Sequence, residues 1–263
     1  MDLQSICEKV CALAKETGEF LKNEVDKIKS TDIETKGLHD FVTYVDKSSE
    51  KKIVEKLSEI LPEAAFITEE KTVISEEKIY KWIIDPLDGT TNFIHGLPLY
   101  SISIALMKGS KIVLGVVYEI NLHECFYSWE NSPAFLNEKE IKVSGRNKIS
   151  DALLATGFPY YDFTELEKYV QLFKYFIQNS HGIRRLGSAA VDLAYVACGR
   201  VDGFFEYGLN PWDVAAGAFI VQQAGGKVCD YKGNNNYIFG KEIVASNSAI
   251  AEEFIEIIKS AYH

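Results

Sequence analysis

The sequence predicts a mixed α/β protein in two lobes, on three observations. A long amphipathic stretch opens the chain. Several short strands separated by turn residues follow Pro98. Strands and helices then alternate to the end. The division predicted is 1–147 for an N-terminal lobe of two helices and a largely antiparallel sheet, and 148–263 for an α/β lobe.

The elements are justified in order. Ile6, Val10, Leu13, Ala14, Leu21 and Val25 recur at helical spacing, which predicts a helix from Leu3 to Ile28. Thr35 to Asp40 reads as a loop, and Phe41 to Val45 as a β-branched strand ended by Asp46. Ser48 and Ser49 offer caps for a helix from Glu50 to Leu61, and Pro62 stops it. Ala64 to Thr68 is a short apolar strand that runs into Glu69 and Glu70, and the polar residues up to Lys81 read as a loop. Ser101–Met107, Ile112–Tyr118, Cys125–Trp129, Ala134–Leu136 and Ile141–Ser144 form the meander, with turn chemistry at Gly109-Ser110 and Asn131-Ser132-Pro133. In the second lobe the strands are Ala152–Ala155, Gly182–Leu186, Val201–Tyr207 and Ile243–Ala245. The helices are Leu166–Gln178, Ala189–Cys198, Pro211–Ala224 and Ile250–Ala261.

Bulk properties bound the function. The chain has 263 residues, is 47% hydrophobic and carries a net charge of -10, so a large core is within reach and a basic nucleic-acid face is not expected. The five cysteines are odd in number and scattered. That pattern suits a reducing compartment, with Cys7 and Cys11 as thiols on one helix face. No signal core and no membrane span is apparent, so a cytoplasmic protein is expected.

The chemistry concentrates at Trp82-Ile83-Ile84-Asp85-Pro86-Leu87-Asp88-Gly89-Thr90-Thr91-Asn92-Phe93. A buried strand ends in two carboxylates. Pro86 fixes the turn between them and leaves the Leu87 carbonyl available, a donor set that hard divalent cations favour. Gly89 lets the backbone approach a ligand, and the N–H groups of Thr90 and Thr91 suit an anion. Taken alone, the Asp85-Pro86-Leu87-Asp88 pair favours a capped strand-to-helix turn over a cation site. Glu69 at a neighbouring strand end and Asp213 after Pro211-Trp212 change that balance, because four acids on one side of a sheet repel without cations.

Glu69-Glu70, the aspartate stretch and Pro211-Trp212-Asp213-Val214-Ala215-Ala216-Gly217 together resemble the inositol monophosphatase family, in order and in spacing, over nearly the whole chain. The resemblance implies a layered α-β-α-β-α sandwich of the inositol monophosphatase/fructose-1,6-bisphosphatase type, usually a homodimer, using two to three Mg2+ ions. It implies that Glu69, Asp85 and the Leu87 carbonyl hold one ion and that Asp85, Asp88 and Asp213 hold the second, with a weaker third beside Glu69. Asp46 and Thr90 match the pair that orients the attacking water. Gly89 and Thr90 match the phosphate-binding backbone. Gly187, Ser188, Ala189 and Glu206 match contacts to the sugar or polyol, with Asp88 and Asp213 beside them. Lys36 matches a loop lysine, with Asp40 and Thr43 in the pattern around it.

The activity so implied is hydrolysis of inositol 1-phosphate or a similar small phosphomonoester, with inhibition by lithium. Three alternatives stand beside it. A fructose 1,6-bisphosphatase, or a dual-activity enzyme, would share the metals. A 3′-phosphoadenosine 5′-phosphate phosphatase is disfavoured by Thr91, where that branch has lysine. A metal- or phosphometabolite-binding regulator without turnover would not need the pair formed by Asp46 and Thr90. Arg184 and Arg185 are expected to pair with the chain's own carboxylates rather than with a second phosphate. The five histidines are too scattered for a metal site, and Phe204, Phe205 and Tyr207 read as core.

Overall fold

A computed structural model describes residues 1–27, 33–37, 40–73, 77–159 and 162–262, with the side chains of 26, 33–37 and 40–42 outside that description. The first helix, α1 (Leu3–Glu24), is capped by Asp2, whose carboxylate accepts from Ser5 N, and buries Ile6, Cys7, Val10, Cys11, Leu13, Ala14 and Leu21 along one face. A single turn of 3-10 helix, Val25–Lys27, follows it. The predicted extension to Ile28 thus ends sooner, and residue 28 lies outside the described residues.

The next segment corrects the sequence reading. Ile33–Gly37 (β1) and Asp40–Thr43 (β2) pair antiparallel, so residues 35–37 are strand and not loop. The helix after them, α2 (Tyr44–Ile60), starts well before Glu50. Its cap is Thr43, not Ser48 or Ser49. The Thr43 hydroxyl accepts from Val45 N, and Asp46 at the third helical position bonds back to the Thr43 N–H. This reciprocal cap overrides the β preference of Tyr44 and Val45. Asp46 is therefore helical. It does not end a strand.

Seven strands form the first sheet, in the order β3 (Ala65–Thr68), β4 (Tyr80–Asp88), β5 (Ser101–Lys108), β6 (Lys111–Glu119), β7 (Glu124–Trp129), β8 (Ala134–Leu136) and β9 (Lys139–Ile141). All neighbours are antiparallel except β3 with β4. The last strand lies earlier than Ile141–Ser144. Register between β4 and β5 is continuous to Asp85 and shifts between Asp85 and Asp88, where Pro86 has no N–H to donate.

The second sheet has five strands, ordered β11 (Gly182–Arg184), β10 (Leu153–Thr156), β12 (Gly203–Tyr207), β14 (Glu242–Ser246) and β13 (Lys227–Cys229). The strand β13 had no counterpart in the sequence reading; it is three residues long and half exposed. Four helices come from the same stretch of chain: α4 (Leu166–Asn179), α5 (Ala189–Ala197), α6 (Pro211–Gln223) and α7 (Ala251–Tyr262). A five-residue helix, α3 (Thr90–Ile94), follows β4.

Alternation along β4 sets the layers. Trp82 and Ile84 join α1 and α2 in one core, while Ile83 faces α5 and α6 in a second. That second core also takes Ala155, Phe204, Ile243 and Ala245 from the other sheet, so α5 and α6 lie between the sheets. Leu154, Phe205 and Val244 point the opposite way, against α4 and α7. The layers therefore run helix, sheet, helix, sheet, helix. Strongly apolar α5 and α6 (Val191, Leu193, Ala194, Val214, Ala218, Ile220) have no polar face because both sides are covered. Among the described residues, no helix is long and apolar enough to cross a membrane.

Candidate active site

Both sheets direct acids into one cavity of ≈ 120 Å³. Glu69, Asp85, Leu87, Asp88, Gly89 and Thr90 come from the ends of β3 and β4 and the residues just after them, and Gly187, Ser188, Ala189, Glu206 and Asp213 from the start of α5, from β12 and from the start of α6. Of the other predicted residues, Asp46 stands behind Thr90, and Lys36 and Asp40 have side chains outside the described residues.

Four of the acids are aimed in a similar way: one oxygen of Asp46, Asp85, Asp88 and Asp213 is bound by N–H or hydroxyl donors, which fixes the side chain. Asp85 Oδ1 accepts from Leu87 N at 2.9 Å, closing the turn over Pro86. Asp213 is the third helical residue of α6, and its Oδ2 accepts from Asn210 N at 2.6 Å. Asp46 Oδ2 accepts from Thr43 N at 2.9 Å and Thr43 Oγ1 at 2.6 Å. Its other oxygen lies 3.2 Å from Thr90 Oγ1, which also reaches the Leu87 carbonyl at 2.9 Å. The Asp88 bonds reach a distant segment of the chain. Its Oδ2 accepts from Ser188 Oγ at 2.6 Å and from Ala190 N at 2.8 Å, at the start of α5. Ser188, expected at the sugar, is buried, and its hydroxyl is turned to Asp88 and Ser101.

Charge accumulates here. Burial pushes the Asp85 carboxyl well above the usual range, and the charges of Glu69, Asp88 and Asp213 push it further. Burial likewise raises Asp213, with Asp88 adding to it. Asp88 rises to about 6, again through burial, although its bonds from Ser188 and Ala190 oppose the shift. Arg185 is the one lysine or arginine among the described residues lining the cavity, against six acids. It sits 5.4 Å over the Phe158 ring, and its charge favours ionisation of Asp88, Glu206 and Asp192. Arg184, by contrast, is exposed and bonds to the Ile183 carbonyl.

No three His, Cys, Asp or Glu side chains among the described residues are drawn as tightly together as a metal shell requires. Carboxylates that share a buried cavity repel, so convergence without closure is what their own charge dictates. The donor chemistry nevertheless fits a hard divalent cation: carboxylate oxygens, a backbone carbonyl and no thiol or imidazole lining the cavity.

Several residues at the site were not singled out from the sequence. Gly157 lies under the Glu206 carboxyl, and a Cβ there would come within 2.0 Å of Glu206 Oε1. The signal was a glycine and a proline, Gly157-Phe158-Pro159, directly after a strand. Asn92 donates to the carbonyls of Leu99 and Leu186 at 2.7 and 2.9 Å, which ties α3 to the Gly187 loop. Asp192 lines the cavity four residues after Ser188, with Oδ1 buried and unbonded. Gly89 caps α3 at φ 95°, a left-handed conformation that its lack of a side chain permits.

Fold and site together define a two-sheet, five-layer α/β protein with an acidic cavity where residues from both sheets meet. Residues 2–263 match the model of the inositol monophosphatase family, and the chain belongs to that family. It is 36% identical over 247 residues to the inositol-1-monophosphatase of Mesorhizobium japonicum, covering 94% of this chain and 93% of that one. It is 39% identical over 251 residues to the Nus factor SuhB of Pseudomonas aeruginosa, again covering 94% and 93%. Among solved structures, the extragenic suppressor protein suhB of Bartonella henselae superposes with a TM-score of 0.92 at 38% identity, over 97% of this chain and 98% of that one. The Thermotoga maritima IMPase superposes at 0.88 and 35% identity, over 100% and 98%.

Proposed function

We propose that the protein is a Mg2+-dependent phosphomonoesterase acting on inositol 1-phosphate or a similar small polyol or sugar phosphate. The observation that carries this reading is the convergence of Glu69, Asp85, Asp88 and Asp213 on one cavity beside the Thr90–Asp46 hydrogen bond. Glu69, Asp85, the Leu87 carbonyl, Asp88 and Asp213 would hold two ions, with a weaker third beside Glu69. Bound divalent cations would neutralise the phosphate and lower the pKa of water.

The chain's own residues supply the rest. Thr90 Oγ1 has one proton, directed at Asp46 Oδ1 or the Leu87 carbonyl, so its lone pairs are free to accept from a water. Asp46 would receive the proton that passes through Thr90. The Gly89 and Thr90 backbone would hold phosphate oxygens. Glu206 and the Gly187–Ala189 loop would hold the alcohol that leaves. Glu206 is raised to about 8 by burial, so near neutral pH its protonated form predominates and is able to donate to a hydroxyl. The active form would be a homodimer of a soluble, cytoplasmic enzyme inhibited by lithium.

Asp88→Asn tests the reading. Phosphate release from inositol 1-phosphate should fall by about 10²-fold or more, while circular dichroism stays unchanged. Full activity in this variant, or a wild type that prefers fructose 1,6-bisphosphate or 3′-phosphoadenosine 5′-phosphate, would sink it.

A second reading rests on the relatives named Nus factor SuhB, which include those of Pseudomonas aeruginosa and Haemophilus influenzae. A role of that kind would use the outer surface and would survive Asp88→Asn. The net charge of -10 disfavours direct nucleic-acid contact, so a protein partner suits it better.

A further inference from the structure

The turn that carries Glu69 is held from beneath by a residue outside the cavity lining. Glu50 lies on α2, four residues after Asp46 and on the same buried face. It is fully buried, and its carboxylate accepts three hydrogen bonds. Oε2 takes the Glu70 N–H at 2.7 Å, and Oε1 takes the Thr72 N–H at 2.8 Å and the Thr72 hydroxyl at 2.7 Å. The residue between those two amides, Lys71, has φ 52°. This left-handed conformation is unfavourable for a residue with a side chain, and the surrounding structure has to hold it. On the other side, the Glu69 N–H donates to the Ile84 carbonyl at 3.3 Å. Glu69 is thus the residue between two anchored amides. One anchor is the strand that leads to Asp85, and the other is Glu50.

We infer that Glu50 is a positioning residue that sets the Glu69 carboxylate for cation binding, and that α2 thereby holds Glu69 and Asp46 in one rigid relation. This rests on the metal-dependent reading above. A carboxylate that accepts several N–H and O–H bonds across a tight turn is a stiff support. Groups that orient a ligand in this way commonly change metal affinity by about 10–100-fold when removed. A plain core role for Glu50 would lower stability and leave cation affinity untouched.

The test compares wild type, Glu50→Gln, Glu50→Ala and Thr72→Val. Mg2+ binding is read directly by calorimetry, together with the Mg2+ dependence of phosphate release. Glu50→Ala should raise the half-saturating Mg2+ concentration by about 10-fold or more while retaining most of kcat at saturating Mg2+. Glu50→Gln keeps one acceptor oxygen and should fall between. Thr72→Val removes one bond and should shift least, in the same direction. Glu50→Ala that melts earlier yet binds Mg2+ at the wild-type concentration overturns the inference. Should that variant fail to fold, an unchanged Mg2+ midpoint in Glu50→Gln overturns it instead. A wild type that neither binds nor needs Mg2+ sinks the functional reading itself, an outcome distinct from both.

Discussion

Glu206 shows how far a single residue's chemistry is set by its surroundings. Burial raises its carboxyl from the ordinary 4.5 to about 8, the nearby Asp88 charge adds to the shift, and Arg185 opposes it. The folded-state pKa lies above the unfolded one, so the sign is definite. The contribution to stability is complete below about pH 4.5 and is lost as pH rises through about 8. Glu206→Gln cannot ionise and lacks this loss. Thermal melts without divalent cations should show the variant gaining on wild type between about pH 5 and about pH 9; parallel curves would remove the argument. Gly157 belongs to the same scale. Its missing side chain leaves the space that the Glu206 carboxyl occupies, so the placing of that acid depends on a residue with no chemistry of its own.

At the scale of elements, α2 matters most. Its N-terminus is defined by Thr43 and Asp46, and Asp46 is at once a cap and the partner of Thr90. Thr43→Val retains the shape and removes the hydroxyl. It should cost about 1 kcal/mol in denaturant unfolding and lower kcat as well, because Asp46 loses its 2.6 Å donor. A stability loss with kcat intact would separate the cap from the chemistry. The Thr43-x-x-Asp46 pattern was legible in the sequence, yet the β-branched run at 41–45 was the stronger local signal. Reciprocal capping reverses it, since two otherwise orphaned N–H groups gain partners. The strand β1 was misread for the related reason that five residues with one large apolar side chain, Ile33, have little hydrophobic alternation to display.

Across the whole molecule, the site is a joint between segments distant in the chain. Asp88 ends β4 of the first sheet and is bound by Ser188 and Ala190 at the start of α5. Ser103 of β5 donates to the Trp212 carbonyl at 3.0 Å, next to Asp213. Ser188→Ala should therefore lower stability by about 1–2 kcal/mol and slow turnover together, measured by chemical denaturation alongside steady-state rates. Loss of stability alone would confine Ser188 to holding the fold together.

The sequence by itself determined the aspartate stretch, the acids at Glu69 and Asp213, the order of nearly every strand and helix, and the layered sandwich through family resemblance. These are local patterns or motifs, and short-range physics is enough to read them. Tertiary structure alone decided that Ser188 and Ala190 tie down one oxygen of Asp88. It likewise decided that Arg185 and not Arg184 meets the acids, that Gly157 makes room for Glu206, and that Glu50 anchors the turn beside Glu69. Each of these depends on two segments distant in the chain meeting at hydrogen-bond or van der Waals range, which no spacing along one strand or helix encodes.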